Sequence, residues 1–275
     1  MKPDDIKLAM KGDINAFHAV FADFKDELKS FLFRLVADRN DAEDLTHDTF
    51  VKAFDKIASF KNESSIKTWV FSIGTHMAYD FLKKRNRWAV DILDQAKETA
   101  GKHKYVRDYL KQSSENDVHG RFDLAEHIDF CFTCISKTLP IEQQVALILT
   151  DIYDFKAKEV ALILNKGEAA VKHYIRFARE TMIEIYDNRC ALVNKKGICH
   201  QCSQLNNWLN PKQNFQVQKM KIELIKQGES GDKKELFRLR ESLVKNINPL
   251  KADGNDLHES FMKLHRLCAG EIESL

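Results

Sequence analysis

The sequence predicts an all-α protein, and three observations carry that expectation. Apolar residues recur at three- and four-residue spacings through most of the chain. The four prolines, Pro3, Pro140, Pro211 and Pro249, fall between periodic segments and never inside one. Stretches that alternate apolar and polar residues are few. The 275 residues leave room for one large or two to three small domains. A hydrophobic content of 44% and a charged content of 31% suit a soluble chain with packed cores. No apolar run reaches membrane-spanning length, and the N-terminal MKPDDIKLAMKGDINAF lacks a signal-peptide core, so a cytoplasmic location is expected. The net charge of +2 argues neither for nor against nucleic acid; local distribution has to decide.

Each helix has its own justification. Over residues 16–36, Phe17, Val20, Phe21, Phe24, Leu28, Phe31, Leu32 and Leu35 make one buried stripe. The segment DRNDAEDLTHDTFVKAFDKIASF places acids at its start, where the helix dipole favours them, with Asp41 positioned to cap it and Phe50, Ala53, Phe54 and Ile57 forming its apolar face. KNESS interrupts the pattern and offers Ser64 and Ser65 as caps. The helix that follows carries Val70, Ile73, Met77 and Phe81 at helical spacing and ends in Lys83, Lys84, Arg85 and Arg87. Residues 89–121 are polar and weakly periodic, which suits a linker with room for one short helix. A second block starts near Phe122, with DLAEHIDFCFTCISKTL ending before Pro140 and IEQQVALILTDIYDF after it.

The stretch KEVALILNKGEAAVKHYIRFAR holds two short apolar stripes, Val160, Ala161 and Leu164, then Val171, Ile175, Ala178 and Met182. Gly167 offers the tight reversal between them. With those faces inward, Lys172, Arg176 and Arg179 share an outer stripe, with Glu168 and His173 near its N-terminal end. A cationic helix seated on a short partner suits the DNA major groove, where lysine and arginine gain affinity by releasing counterions from phosphates. A solvated face on a plain helical bundle accounts for this block equally well.

Two blocks taken together resemble a known family. DAEDLTHDTFVKAFDKIASFKNESSIKTWVFSIGTHMAYDFLKKR is similar to the second region of bacterial RNA polymerase sigma factors, and LPIEQQVALILTDIYDFKAKEVALILNKGEAAVKHYIRFAR to their fourth. The order of the blocks, with no third region between them, resembles the extracytoplasmic-function type. The resemblance implies a region-2-like domain at 10–88, a linker at 89–121 and a region-4-like helix-turn-helix domain at 122–188. A cysteine- and histidine-containing segment at 189–214 and a helical extension at 215–275, around 217–226, 233–246 and 256–272, lie beyond it.

Residue roles follow from the same resemblance. Asp41, Glu43, Asp44, Leu45 and Asp48 would bind the clamp of the largest polymerase subunit, the acids meeting basic partners and Leu45 adding apolar contact. Phe60, Asn62, Ser64, Trp69, His76, Lys83, Lys84 and Arg85 would read and melt the minus-ten element. Extruding a base costs a few kcal/mol, which stacking on an aromatic ring and edge hydrogen bonds must offset. Glu168, Lys172, His173, Arg176 and Arg179 would face the minus-thirty-five element. His47, Thr75, His76, Glu168 and His173 depart from the residues common in this family, so no promoter sequence follows. The implied function is transcription initiation without catalysis: core polymerase and promoter DNA are the partners, and the extension either docks on the chain or meets a regulator such as an anti-sigma factor. No phosphate-cradling glycine loop is present, so strand opening would draw on binding free energy.

Six cysteines in a chain of this kind suit reduced thiols or metal ligands better than a disulfide framework. Cys190, Cys199, His200 and Cys202 give C-x8-C-H-x-C, and Cys131 and Cys134 add a CxxC on a helix. Thiolates with imidazole suit tetrahedral zinc, on Cys190, Cys199 and Cys202 or on a set that draws in His200, Cys131 and Cys134. Structural thiols satisfy the same pattern, and Cys268 is expected to be a small core residue. The different-class alternative is a metal- or redox-responsive helix-turn-helix regulator that never joins polymerase, which leaves the acidic helix and the Trp69 segment without a role.

Overall fold

A computed structural model describes residues 3–106, 108, 124–190, 232–251 and 255–275. Its described elements are helices, numbered here in chain order, and its packing forms two compact units. The packing groups residues differently from their order along the chain: Met1–Arg85 joins Ile141–Arg176 in one unit, and Asn86–Pro140 joins Phe177–Leu275 in the other.

The first unit contains α1 (Pro3–Met10), α2 (Ile14–Ala22), α3 (Lys25–Val36), α4 (Arg39–Lys56), a 3-10 turn (Ile57–Ser59) and α5 (Ile66–Leu82). Short polar side chains start the helices by accepting otherwise unpaired N–H groups. Asp13 accepts from Asn15 and Ala16, Asp38 from Asp41, and Ser65 from Thr68. The cap of α4 is therefore Asp38 and not Asp41, and Ser65 rather than Ser64 caps α5, because each sits one residue before its helix in extended backbone. Phenylalanines fill the core: Phe17 packs on Phe50 with ring centroids 5.2 Å apart, and Phe31 on Phe71 at 5.5 Å. Burying each such ring contributes about 1.5–3 kcal/mol before entropy is counted. The inward face of α5 is Val70, Phe71, Gly74, Ala78 and Leu82, whereas Ile73, Met77 and Phe81 are half-buried. Gly74 explains that rotation: a Cβ there would lie 3.1 Å from Leu28 Cδ1 and 3.3 Å from Thr49 Oγ1, so its absence draws α5 against α3 and α4.

The same unit receives α8 (Ile141–Asp151), α9 (Ala157–Leu164) and the start of α10 (Glu168–Arg189). Contacts made far apart in sequence hold α8 and α9 to the α3–α5 bundle. Gln144 Nε2 donates to the Arg34 carbonyl at 3.1 Å, and Arg34 donates to the Tyr153 hydroxyl at 2.8 Å. Phe155 packs against Phe71 with ring centroids 4.9 Å apart and planes tilted by 49°. Asn165, left-handed at φ 51, makes the reversal between α9 and α10; Gly167, the residue expected to do so, is not in that region of backbone space.

The second unit holds α6 (Ile92–Lys102), α7 (Leu124–Ser136), the end of α10, α11 (Lys233–Lys245) and α12 (Asn255–Cys268). Helix α6 lies within the expected linker, and α11 and α12 match two of the three expected helices of the extension; residues 217–226 lie outside the described residues. Helix α12 packs on α6 and α7, and α11 on α7. Trp88, 2% exposed, donates its Nε1–H to Glu271 at 2.7 Å. Glu271 is also ion-paired with Lys137 at 3.5 Å and Arg266 at 3.4 Å, all three side chains being almost fully buried. Arg240 lies 3.6 Å over the Tyr186 ring, tying α11 to α10. No helix among the described residues is long and apolar enough to cross a membrane.

Candidate polymerase and nucleic-acid interfaces

Helix α4 presents an acidic outer face because its apolar residues turn inward. Glu43, Asp44 and Asp48 are exposed, and Glu43 pairs with Lys29. Asp41 is half-buried and pairs at 3.5 Å with Arg85, tying the start of α4 to the basic end of α5. Leu45, expected to add apolar contact to a partner, is 7% exposed and packs mainly into the core. The apolar residue on this outer stripe is Val51, 44% exposed and one turn beyond Asp48.

The loop between the 3-10 turn and α5, with the first turns of α5, builds an open cleft of about 230 Å³. Ser59, Phe60, Lys61, Glu63, Ser64, Thr68, Trp69, Ser72 and Leu162 line it. Phe60 is buried and lies 5.3 Å from the half-exposed Trp69 ring, so Phe60 supports the platform and Trp69 forms its accessible face. Asn62 is exposed and left-handed at φ 55, a conformation asparagine tolerates, and it turns the loop sharply. Ser64 is half-exposed at the rim. Thr68 reaches Glu159 at 3.3 Å, and Ser72 donates to the Ile163 carbonyl at 3.3 Å, so α9 rests on α5 beside the cleft. Leu162, 54% exposed, is a wall residue that sequence reading missed. Its only sequence signal is that it falls outside the stripe formed by Val160, Ala161 and Leu164.

Further along α5, His76 is exposed and donates its Nδ1–H to the Ser72 carbonyl at 2.7 Å. Lys83 and Lys84 are exposed just past the helix end, whereas Arg85 lies half-buried with its guanidinium 4.2 Å over the Phe81 ring. On α10, Val171, Ile175, Ala178 and Met182 are buried, and Glu168, Lys172, His173, Arg176 and Arg179 are exposed. Lys172 pairs with Glu168 one turn earlier at 2.7 Å, which holds the Glu168 carboxyl below its usual range. The ridge therefore starts with a paired lysine and continues with the exposed side chains of Arg176 and Arg179.

The cysteines divide. Cys199, His200 and Cys202 lie outside the described residues. Cys190 accepts from Arg240 at 3.4 Å, Cys131 is half-buried, and Cys268 is half-buried beside Thr99 at 3.6 Å. Cys134 is fully buried between α7 and α12, 3.4 Å from His265 Nδ1 and 3.8 Å from Met262 Sδ. Burial pushes the Cys134 thiol up and draws His265 down to about 3, so both are neutral. Among the described residues no three His, Cys, Asp or Glu side chains converge as a metal cluster.

Family comparison addresses both platforms. Residues 20–88 match sigma-70 region 2, and residues 130–182 match sigma-70 region 4. The extracytoplasmic-function (ECF) RNA polymerase sigma-E factor of Haemophilus influenzae is 26% identical over 181 residues, covering 65% of this chain and 91% of its own. The chain belongs to the extracytoplasmic-function sigma factors. The ECF sigma factor SigX of Bacillus subtilis is 27% identical over 159 residues, 57% of this chain and 76% of its own. A solved structure of CnrH in complex with the cytosolic domain of CnrY matches 66% of this chain and 95% of that chain at 18% identity, with a TM-score of 0.48. In this sigma factor the region-2 match takes in α4, the cleft loop and α5, the cleft wall residue Leu162 falls in the region-4 match, and that match ends within α10, before α11 and α12 begin.

Proposed function

We infer that this sigma factor binds core RNA polymerase, directs it to promoters and opens the DNA, acting in the cytoplasm and without catalysis. The observation that carries the reading is the pairing, in one chain, of a half-exposed tryptophan at an open cleft with a solvent-facing cationic ridge. These surfaces suit different forms of DNA. A cleft with an aromatic face holds an unstacked base, whereas a rigid cationic helix fits duplex DNA. The acidic stripe Glu43, Asp44 and Asp48 complements a basic docking surface and leaves the cleft side of α5 for DNA.

The regulator that never joins polymerase leaves the match at 20–88 without a role. Run-off transcription tests the proposal: core polymerase plus the purified chain, with upstream DNA of its own operon as template. A stable complex and unpaired DNA near the start site are expected. Duplex binding with no polymerase association would overturn it.

A further inference from the structure

The buried contact between Cys134, Met262 and His265 goes beyond the promoter-binding surfaces. Cys134 comes from α7, within the region-4 match; Met262 and His265 come from α12, beyond both matches. Their exposures are 0%, 4% and 1%, and the ligand-type atoms face one another. The Cys134 Sγ–Met262 Sδ separation is 3.8 Å, and the Cys134 Sγ–His265 Nδ1 separation is 3.4 Å. On a tetrahedral first-row ion, metal–sulfur bonds of about 2.3 Å and metal–nitrogen bonds of about 2.05 Å give a sulfur–sulfur edge of about 3.8 Å and a sulfur–nitrogen edge of about 3.6 Å. Both separations measured from Cys134 Sγ therefore lie close to ligand-to-ligand distances.

We propose that Cys134, Met262 and His265 form a binding site for a soft monovalent metal cation of the Cu(I) class, which fastens α12 of the extension to α7. Ligand type and charge select the ion. A thioether beside a thiolate is a soft donor set and holds Cu(I) better than a hard cation. One thiolate, one neutral imidazole and one thioether carry a single negative charge, which a monovalent cation cancels. A divalent ion would leave a positive charge in a pocket walled by aromatic rings, with Trp88 and Phe130 at 5.7 Å and 5.5 Å from the His265 ring. The charged residues acting on Cys134 include Asp129 and Lys137, which oppose each other in sign and do not alter that balance. Binding exchanges the Sγ proton for the metal: Cu⁺ and the thiol give a Cu–S bond and a proton released to solvent, with no change of oxidation state.

The test is anaerobic titration of the reduced full-length chain with Cu(I) against a chromogenic chelator. One tightly held equivalent is expected. It should persist in a chain with Cys190→Ser, Cys199→Ser and Cys202→Ser, and X-ray absorption on that variant should report two sulfur neighbours and one nitrogen. Cys134→Ala should weaken binding by at least ~100-fold, since removing groups that merely orient ligands already costs 10–100-fold. Met262→Leu keeps the packing volume, so it should leave the metal-free melting temperature nearly unchanged while weakening Cu(I) at least ~10-fold. Loss of the equivalent in the triple serine variant, undiminished binding by Met262→Leu, or stoichiometric displacement of Cu(I) by Zn(II) would each overturn the assignment. These readouts do not involve polymerase or DNA, so their failure is separable from that of the promoter reading.

Discussion

In the first unit the buried Arg34 reaches a phenol hydroxyl, Tyr153, which in turn donates to Ser30. In the second unit Lys137 and Arg266 share one buried carboxylate, Glu271, which also takes the indole proton of Trp88. The first unit fills its interior mainly with apolar side chains, phenylalanine prominent among them, and buries few charges, Arg34 and Asp151 among them, while the second buries more titratable groups, including His127, Asp129, Lys137, His265 and Arg266. The difference predicts separate sensitivities: charge removal and acid should act on the second unit's fold, whereas surface substitutions on the helices proposed to meet the promoter should act on binding.

The largest effect is expected at Glu271. Glu271→Gln keeps the shape but leaves Lys137 and Arg266 buried without their carboxylate, which costs about 3–5 kcal/mol of unfolding free energy by denaturant titration. Burial already draws Lys137 down to about 8. A loss below about 1 kcal/mol would mean that the lysine sheds its proton to escape the penalty, and the contrast with Arg34 would reduce to packing.

Acid should act next most strongly. His265 has its folded value near 3 against an ordinary 6.5, because burial disfavours the imidazolium. Between those values the unfolded chain holds a proton that the folded chain does not, so stability falls as pH drops through that window and is full above it. From pH 6.5 to 5 the loss from this residue is about 2 kcal/mol. His265→Phe should flatten that slope in urea titrations at the two pH values. An unchanged slope would move the acid sensitivity to another group, His127 being the nearest candidate because burial lowers it too.

These two predictions concern residues whose roles were hidden in the sequence, and the reason is physical. Helical periodicity is local, so the inward stripe Val171, Ile175, Ala178 and Met182 and the outward ridge on α10 were both legible. The rotation of α5 was not, because it depends on Gly74 meeting Leu28 and Thr49 from two other helices. Leu162 joins the cleft from ninety-odd positions away, and the cluster around Glu271 draws on Trp88, Lys137 and Arg266, which share no sequence pattern. Contacts of that separation are fixed by tertiary packing, to which spacing along the chain is blind. Leu45 shows the converse: the family resemblance assigns it a partner contact, and packing also makes it part of the core.

On the binding side, Trp69→Ala should separate the two surfaces proposed to meet DNA. Its ring is half-exposed over the buried Phe60, so the substitution removes the accessible stacking face of the cleft. Stacking is worth about 1–3 kcal/mol per base, so polymerase carrying the variant should form open complexes several-fold to about 100-fold less well, read by permanganate reactivity of unpaired thymines. Affinity for a duplex bearing only the upstream element should stay the same. Equal losses on both DNAs would erase the division between cleft and ridge.

Arg176→Ala is the smallest and sharpest probe. The residue is exposed on α10, so the variant should fold with stability within about 0.5 kcal/mol of the parent. A guanidinium on a phosphate releases roughly one counterion, so removing it should weaken upstream duplex binding about equally for all sequences and lower the salt slope by about 1. A guanidinium reading a base edge would instead cost about 1–3 kcal/mol at one base pair and leave the others unaffected. An exposed guanidinium on a helix proposed to enter the groove serves either contact, and the salt slope measured beside a panel of single-base substitutions decides between them. Unchanged affinity in both measurements would mean that the ridge does not face DNA, and the comparison of a binding surface with a titratable interior would then rest on the cleft alone.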